Sequence, residues 1–434
     1  YIAFNHTYGN LSHPYYRLER MQQWSDALDW TKGSLGVLPD GEWQSICFDN
    51  ENSYYSTEKK QTGSAGLRLS HKLTGLKRGN IQFDVDLGAV LQYKRLDYQR
   101  NERSYDIDRH AYSFRPTLKV DYHSNSKHKW VPELNLNYTG EHQQPNLLNM
   151  LQVEDNADPL NLFRGNASLL GEYAHRLAFR YGMSQRKIQH DAYVSLQYVR
   201  THNDIVASSI YNAENGGRIY EMVNTNRTHA ANGEVGYSLP LDKKKNFFIT
   251  LSLRGNYRQN TDLSHLSAET DEGGLLQQYS VTPIVKIRGT VGNNFRFSSS
   301  WNTAFYTIRQ GNLDTRYRET KFAADFSWDL PWKLQLASDF CANIYNGFAD
   351  VSINNAHCQW NASLSRCFLS DQLSIRFIAN GILNPRNNIY SSNNTTSRIE
   401  SYTDILPRYF MLSVVYTLDW SQKSKNLTLP KKVY

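Results

Sequence analysis

The sequence lacks any uninterrupted apolar run of about 18 residues, the length that a transmembrane helix needs, and this excludes a helical membrane span. A clustered basic stripe is also missing. The 48 basic residues are scattered among 41 acidic ones, although the formal net charge is +7. Because a nucleic-acid-binding surface gathers its basic residues, we expect no nucleic-acid partner.

Cysteine is scarce, with four residues in the chain and neither a CxxC pair nor a His-linked zinc spacing. In the alternating pattern described below, Cys341 and Cys367 fall on the polar side of their strands and Cys358 falls on the apolar side. We therefore expect no disulfide between Cys341 and Cys358, unless a bulge reverses the parity.

Catalytic motifs are absent as well, since the sequence contains no GxSxG, HExxH or Walker phosphate loop. His71, His175 and His190 lie on or near predicted strands, but no nucleophile motif accompanies them. The sequence therefore predicts no enzyme, no cofactor and no metal site.

Alternation of apolar and polar residues is the main feature that is present, and it is clearest near the C-terminus. From residue 410 to residue 420, every even position is large and apolar or aromatic, whereas Ser413, Thr417 and Asp419 are small or polar. A period of two predicts a strand with one apolar face and one polar face. The apolar set consists of Phe410, Leu412, Val414, Tyr416, Leu418 and Trp420.

The same period recurs through most of the chain, for example in Ile81–Tyr93 and Phe247–Leu253. Aromatic residues make up 13% of the sequence, yet its mean hydropathy is only -0.63. A membrane barrel combines these two properties, because half of each strand faces water and aromatic residues gather at both membrane interfaces. We predict an all-β fold, a transmembrane antiparallel β-barrel. The count is about 16 strands, within a range of about 14 to 18, in a complete barrel or in part of a larger one.

Connections of two lengths alternate along the chain, as in barrels with short periplasmic turns and longer extracellular loops. The barrel is predicted to span residues 1–420, and residues 421–434 are predicted to form a periplasmic C-terminal tail. After a short first strand, Tyr1–Tyr8, residues 9–53 are predicted to form a long extracellular loop. Three tryptophans of this loop either contact a ligand or partner protein or form a small core of the loop itself. They are Trp24, Trp30 and Trp43.

Arginines recur at the polar positions of the predicted strands, where they point toward the lumen. They are Arg68, Arg176, Arg180, Arg254, Arg288 and Arg376. One hypothesis is that they attract an anionic substrate. The alternative is that they contact a plug domain or pair across strands with carboxylates that also face the lumen. Those carboxylates are Asp84, Asp86, Asp121, Glu133 and Asp325.

The segment from Pro145 to Tyr173 contains the run EDNADPLNLFRGNASLLGEY. It resembles the loop-to-strand signature of TonB-dependent receptors of the Bacteroidetes type, in which such a run descends from an extracellular loop into the next barrel strand. Ala167 and Gly171 depart from that signature, which commonly has prolines there. The strand that ends at Trp420 is similar to the C-terminal signal read by the barrel-assembly machinery, although residues 421–434 follow it.

The resemblance implies a protein of the bacterial outer membrane, surrounded by lipid and lipopolysaccharide, with its C-terminus in the periplasm. It also implies uptake of a bulky nutrient, such as a metal chelate, a glycan or a peptide. TonB would be a partner only if a plug domain lies upstream of Tyr1. The alternative is a barrel without transport activity, acting as a structural subunit beside lipoproteins or other proteins of an assembly or secretion complex. In either case the terminal strand pairs with the first barrel strand, which begins at Tyr1 or lies upstream of it.

Overall fold

The computed structural model describes most of the chain. The described residues are 1–17, 20, 43–76, 79–124, 129–155, 158, 160–212, 215–267, 274–311, 313–348, 351, 354–369, 372–383, 389–393, 398–402, 406 and 408–417. One short α-helix, α1, covers Trp43–Cys47 in these ranges, and single 3-10 turns cover Leu147–Met150 and Pro331–Lys333. Within the same ranges, no helix has the length and apolar character needed to cross a membrane.

Most of the remaining described residues lie in strands. The strands are β1 (Ile2–His13), β2 (Tyr54–Leu76), β3 (Gly79–Arg100), β4 (Arg103–Ser124), β5 (Val131–Gln143), β6 (Glu154–Asp155), β7 (Asn161–Arg164), β8 (Glu172–Gln185), β9 (His190–His202), β10 (Asp204–Tyr211), β11 (Arg218–Thr225), β12 (Thr228–Pro240), β13 (Phe247–Ser267), β14 (Gly274–Val291), β15 (Phe295–Gln310), β16 (Leu313–Leu330), β17 (Leu334–Asn346), β18 (Ala356–Phe368), β19 (Leu373–Asn380), β20 (Ile389–Asn393), β21 (Arg398–Tyr402) and β22 (Tyr409–Tyr416).

A single large sheet contains 20 of the described strands. Sixteen of them follow one another in antiparallel order: β1, β2, β3, β4, β5, β8, β9, β12, β13, β14, β15, β16, β17, β18, β19 and β22. The short strands β6, β7, β10 and β11 attach beside β13 through parallel and antiparallel pairs. The predicted all-β antiparallel fold is confirmed, and the consecutive antiparallel series has the 16 strands that were predicted, although the whole sheet has more. Among the described residues no ladder joins β22 to β1, so the sheet is not closed there.

The two ends of the sheet have different connections. At the turn end, strands are joined by links at 186–189, 241–246, 292–294 and 331–333. In one of these links, Asp242 Oδ1 accepts hydrogen bonds from the backbone N–H groups of Asn246 and Phe247, at 2.8 and 2.9 Å. The opposite end, called the loop end, carries most of the long connections. Because strands alternate in direction, Tyr1 and the end of β22 both lie at the turn end.

One predicted boundary at the loop end was wrong. β1 continues to His13, so the long connection does not begin at residue 9. The ladder with β2 extends the strand, since Thr57 Oγ1 donates to Asn10 Oδ1 at 3.0 Å and the His13 ring stacks on Tyr54. β15 and β16 are joined by residues 311–312 only, because Gly311 adopts a φ of +56° that permits a tight turn.

The register gives the sheet an apolar face and a polar face. Residues directly opposite in an antiparallel pair point to the same side. Leu251 is opposite Tyr237 and Val285, whereas Ser252 is opposite Gly236 and Ile284. The apolar face therefore carries the long apolar residues of each strand, and the polar face carries most of the charged ones. By the same rule Cys341 is opposite Gln359 and Cys358 is opposite Ala342, on different faces.

Aromatic residues lie at both edges of the apolar face. On β13, Phe247 lies beside the turn end, and Tyr257 lies opposite Tyr279 with 5.0 Å between ring centroids. The strand rises about 33 Å from Phe247 to Tyr257 at roughly 3.3 Å per residue, and a tilt of about 40° reduces this to about 25 Å. That height equals the apolar band of an outer-membrane barrel. β3 and β4 have 22 residues each, so they extend well beyond the band at the loop end.

Candidate functional site

Register places all six candidate arginines on the polar face. Arg68 is opposite Asp86, Arg176 is opposite Thr139, and Arg180 is opposite Asn135. Arg254 is opposite Glu234, Arg288 is opposite Phe248 and Ser298, and Arg376 is opposite Ser365 and Ser413. Their contacts differ. Three of the arginines form ion pairs, two lie over aromatic rings, and one is directly opposite serines.

Ion pairs hold three of the arginines. Arg68 Nε and Nη2 donate to Asp86 Oδ2 at 3.0 and 2.8 Å, and the Tyr1 hydroxyl donates to the other carboxylate oxygen at 3.0 Å. Arg176 Nη1 donates to Glu141 Oε2 at 3.1 Å. The two arginine side chains are more than half exposed, so each pair orients its members more than it stabilises the fold.

The third pair belongs to a network across β8, β9, β12 and β13. Arg254 Nε and Nη2 both donate to Glu234 Oε2, at 3.0 and 2.8 Å. The Tyr193 hydroxyl donates to Glu234 Oε1 at 2.5 Å, and the Arg180 guanidinium lies over the Tyr193 ring, 4.8 Å from its centroid. Glu234 therefore neutralises the charge of Arg254, and Arg180 has no acidic partner in the part of the chain that the structure describes.

Two further arginines have no acidic partner among the described residues. The Arg288 guanidinium lies over the Phe248 ring at 4.8 Å. Arg376 has only serines directly opposite on β18 and β22. Arg180, Arg288 and Arg376 thus leave positive charge on the polar face that could attract an anionic group.

The carboxylates named from the sequence do not pair with these arginines, except for Asp86. Asp84 accepts from Ser70 and Gln82, Asp121 pairs with Lys119 at 2.9 Å, and Asp325 accepts from Ser298. Glu133 makes no ion pair within the described ranges. Glu141 and Glu234 were missed, although both stand at polar positions of their strands and parity alone would have listed them.

The polar face is partly covered at the loop end. The described residues between 144 and 171, namely 144–155, 158 and 160–171, are called the folded segment. The folded segment lies against β3 and β4, where Leu96, Tyr98 and Ile107 depart from the polar pattern. Leu147 and Leu169 are only 1% exposed and pack with Met150, Leu151, Leu96 and Tyr98 into a small core. This is the segment that carries the receptor-like signature. It packs against the polar face of the sheet, where its apolar residues are removed from water.

Local features fix the shape of the folded segment. Asn146 Oδ1 accepts from the Leu148 N–H at 3.1 Å and begins the 3-10 turn. Asn166 Nδ2 donates to the Met222 carbonyl at 2.9 Å, which ties the segment to β11. Gly165 passes so close to the Leu151 backbone that a Cβ there would stand 1.7 Å from the Leu151 carbonyl oxygen. Only glycine permits that approach.

A cavity of about 360 Å³ lies between the folded segment, β2, β3 and β11. Phe163 and Tyr220 stack in its wall with 5.1 Å between ring centroids. Arg164 and Glu221 form an ion pair of 3.0 Å in the same wall. The cavity thus offers aromatic surface and charges of both signs to a ligand. Sequence reasoning missed it, because the segments that build it meet only through the sheet topology.

The connection between β1 and β2 is anchored by a buried carboxylate. Asp49 is 1% exposed, and its Oδ2 accepts from Arg17 Nε and Asn52 Nδ2, both at 2.6 Å. Burial acts to raise the pKa of Asp49, but the hydrogen bonds from Asn52 and Arg17 outweigh it and leave the pKa below its usual value. Arg100 of β3 donates to the Glu51 carbonyl, so the connection is tied to the sheet.

The tryptophan predictions are mostly untested by this geometry. Trp43 begins α1, in a stretch that was predicted to be irregular. Trp24 and Trp30 lie outside the described residues.

Comparison with known families agrees with this geometry. A model of the outer membrane protein beta-barrel family matches residues 74–416. The chain belongs to that family. Neither the curated proteins nor the solved structures contain a match. In an outer membrane β-barrel the apolar face meets lipid and the polar face lines the lumen. The six arginines lie on the polar face, and their position in the lumen stays a prediction.

The candidate closing strand of the barrel is β22. Phe410, Leu412 and Val414 are exposed on its apolar face, opposite Ala379, Phe377 and Ile375 of β19. Tyr416 ends this row opposite Leu373. Leu418, Trp420 and the predicted tail at 421–434 lie outside the described residues. The strand is therefore seen paired on one side, and its predicted pairing with the first strand is not seen.

Proposed function

We propose that this outer membrane barrel is a receptor that captures a bulky nutrient and takes it up across the membrane. The nutrient class is a metal chelate, a glycan or a peptide, and the transport is TonB-dependent. In this proposal the loop end faces outward and the C-terminus lies in the periplasm. The finding that carries the proposal is the cavity built by the folded segment and β11 at the loop end.

Three features support this role. The cavity wall combines stacked rings with a charged pair, which suits ligands that carry both apolar and polar groups. The segment that builds it is also the one that resembles the receptor signature. Below it, Arg180, Arg288 and Arg376 present positive charge along the lumen wall, where it would favour passage of anionic groups.

Uptake by whole cells tests the proposal. Cells with and without the full-length protein are given labelled ferric chelates, oligosaccharides and peptides, with and without TonB. We expect one class to accumulate only when both the protein and TonB are present. Tyr220→Ala, in the cavity wall, should reduce that uptake at low ligand concentration. Tyr237→Ala, on the apolar face, is the matched control and should not.

The opposite result would favour the structural-subunit alternative. If uptake of every class is the same without the protein, and the protein purifies from native membranes as a stoichiometric part of an assembly or secretion complex, the receptor proposal is wrong.

A further inference from the structure

Three arginines lie on the apolar face where the apolar band ends at the loop end. Arg309 is on β15, and Arg316 and Arg318 are on β16. Arg318 is directly opposite Phe305, a lipid-facing ring that is 50% exposed, and Arg309 is directly opposite Asp314. We call Arg309, Arg316 and Arg318 the arginine patch.

The arginine patch carries more positive charge than its neighbours neutralise. Asp314 is 3.6 Å from Arg309 and 3.5 Å from Arg316, and it is the acid shared by both. Arg318 has no acidic partner within the described ranges. Three arginines and one aspartate give this group a net charge of +2. The Arg309 and Arg316 side chains are 51% and 70% exposed.

The patch lies at one end of a row of directly opposite positions that includes two arginines and two histidines. Tyr198, Tyr257 and Tyr279 belong to one row of directly opposite positions, which reaches Arg316. The next row toward the loop end contains His175, Arg200, His229, Gln259, Gln277 and Arg309, and it has no acid before Asp314.

The opposite part of the sheet differs at the same end. On β3 and β4 the corresponding outward positions include Asp97, Asp106 and Asp108 beside Arg95. Arg95 contacts Asp97 at 2.9 Å and Asp106 at 3.8 Å. At the loop end, the arginines of β15 and β16 therefore outnumber the acid that contacts them, whereas Arg95 of β3 contacts two acids.

We infer that the arginine patch binds the phosphate groups of lipopolysaccharide in the outer leaflet. Tyrosine rings mark the membrane interface, and lipid phosphates lie just beyond it. A guanidinium donates paired hydrogen bonds that match phosphate oxygens. Phe305 and Val281, which is 49% exposed, provide adjoining apolar surface for acyl chains. The inference uses the orientation proposed above but does not depend on nutrient uptake.

Lipid binding to the purified full-length protein in nanodiscs tests the inference. The probes are diphosphoryl lipid A, phosphatidylglycerol and inorganic phosphate, with affinities measured for the wild type and for Arg316→Gln/Arg318→Gln. We expect wild type to prefer diphosphoryl lipid A, and the double variant to bind it on the order of tenfold to thirtyfold more weakly. Arg258→Gln removes an equivalent charge from the polar face at the same end and should bind like wild type.

Three outcomes would overturn it: equal lipid A affinity in wild type and the double variant, equal affinity for phosphatidylglycerol, or displacement of lipid A by millimolar inorganic phosphate. Heat-modifiable migration on gels checks that each variant is folded, and the single variant Arg318→Gln provides a milder change. Nutrient uptake by the double variant is measured separately, because loss of lipid binding with normal uptake separates this site from the receptor function.

Discussion

A charged side chain on the apolar face loses its hydration, whereas the same side chain on the polar face keeps it. Leu251 is 46% exposed on the apolar face within the band, and Ser252 follows it on the polar face. We expect Leu251→Arg to lower the free energy of unfolding by about 2–4 kcal/mol if the residue meets the bilayer midplane, and Ser252→Arg to have a much smaller effect. Equilibrium folding titrations into lipid vesicles measure both, and equal losses would contradict the assignment of the faces.

Asp49 should make the connection between β1 and β2 sensitive to acid. Its pKa in the folded protein lies below the value of about 3.9 that an unfolded chain would have, because Asn52 and Arg17 donate to the carboxylate. In this range the folded form binds fewer protons than the unfolded form. The stabilisation that Asp49 contributes is therefore complete above the unfolded pKa and is lost as the pH falls through the folded pKa. The protection factors of residues 43–53, which compare their exchange with the intrinsic rate at the same pH, should fall as the pH is lowered through that range.

The control for this prediction is Asp49→Asn, which keeps the shape and removes the charge. We expect it to destabilise the connection by about 1–3 kcal/mol at neutral pH and to abolish the acid dependence. Glu51→Ala should change little, since only the backbone of that exposed residue contacts Asp49. If Asp49→Asn keeps the acid dependence of the wild type, a group other than Asp49 is responsible for it.

The sequence could predict which face of the sheet a side chain occupies, but not which residue lies opposite it on the next strand. Parity alone puts Arg254 on the polar face, because it follows from a period of two. Its partner Glu234 depends on the register between β12 and β13, which is set by the geometry of the turn at 241–246. A shift of one residue pair along the strand would give Arg254 a different neighbour without changing its face.

At the scale of elements, the folded segment is the least regular part and the one on which the proposed cavity depends. Gly165→Ala places a methyl group against the Leu151 backbone, which cannot move as a flexible side chain can. We expect the segment to detach from β3 at a cost of about 1–3 kcal/mol or more. Hydrogen exchange at residues 147–151 and 166–169 should increase, while exchange in β13 and β14 stays unchanged.

Gly63→Ala is the matched control, because nothing lies within 4 Å of the Cβ that it would add. If both variants protect residues 147–151 as wild type does, the close approach at Gly165 does not hold the segment. The sequence could not reveal this docking. Leu96 and Ile107 occupy positions of the polar face, and only their contact with Leu147 and Leu169 explains why they are apolar.

For the whole molecule, the apolar band decides how the barrel sits in the membrane. The sequence predicted the long antiparallel strands and their two faces, because the alternation of apolar and polar residues repeats in each of these strands. It did not predict how far the strands continue past the band, since β3 and β4 keep their ladder to Arg100 and Arg103 although their outward side chains become charged. Backbone hydrogen bonds between neighbouring strands are independent of side-chain polarity. The strands therefore stay paired beyond the residues in which apolar and polar side chains alternate.

The band can be located by single-cysteine labels on β13, in a background without the four native cysteines. Leu253 is below the tyrosine row and Gln259 is beyond it, on the same face. A fluorophore at Leu253 should be quenched by lipids that carry a quencher in their acyl chains, and one at Gln259 should be quenched by aqueous iodide. Labels at Ser252 and Arg258 on the polar face should resist the lipid quencher. If lipid quenches Gln259 as strongly as Leu253, the boundary is not at Tyr257 and Tyr279, and the arginine patch would then lie too deep for a phosphate-binding site.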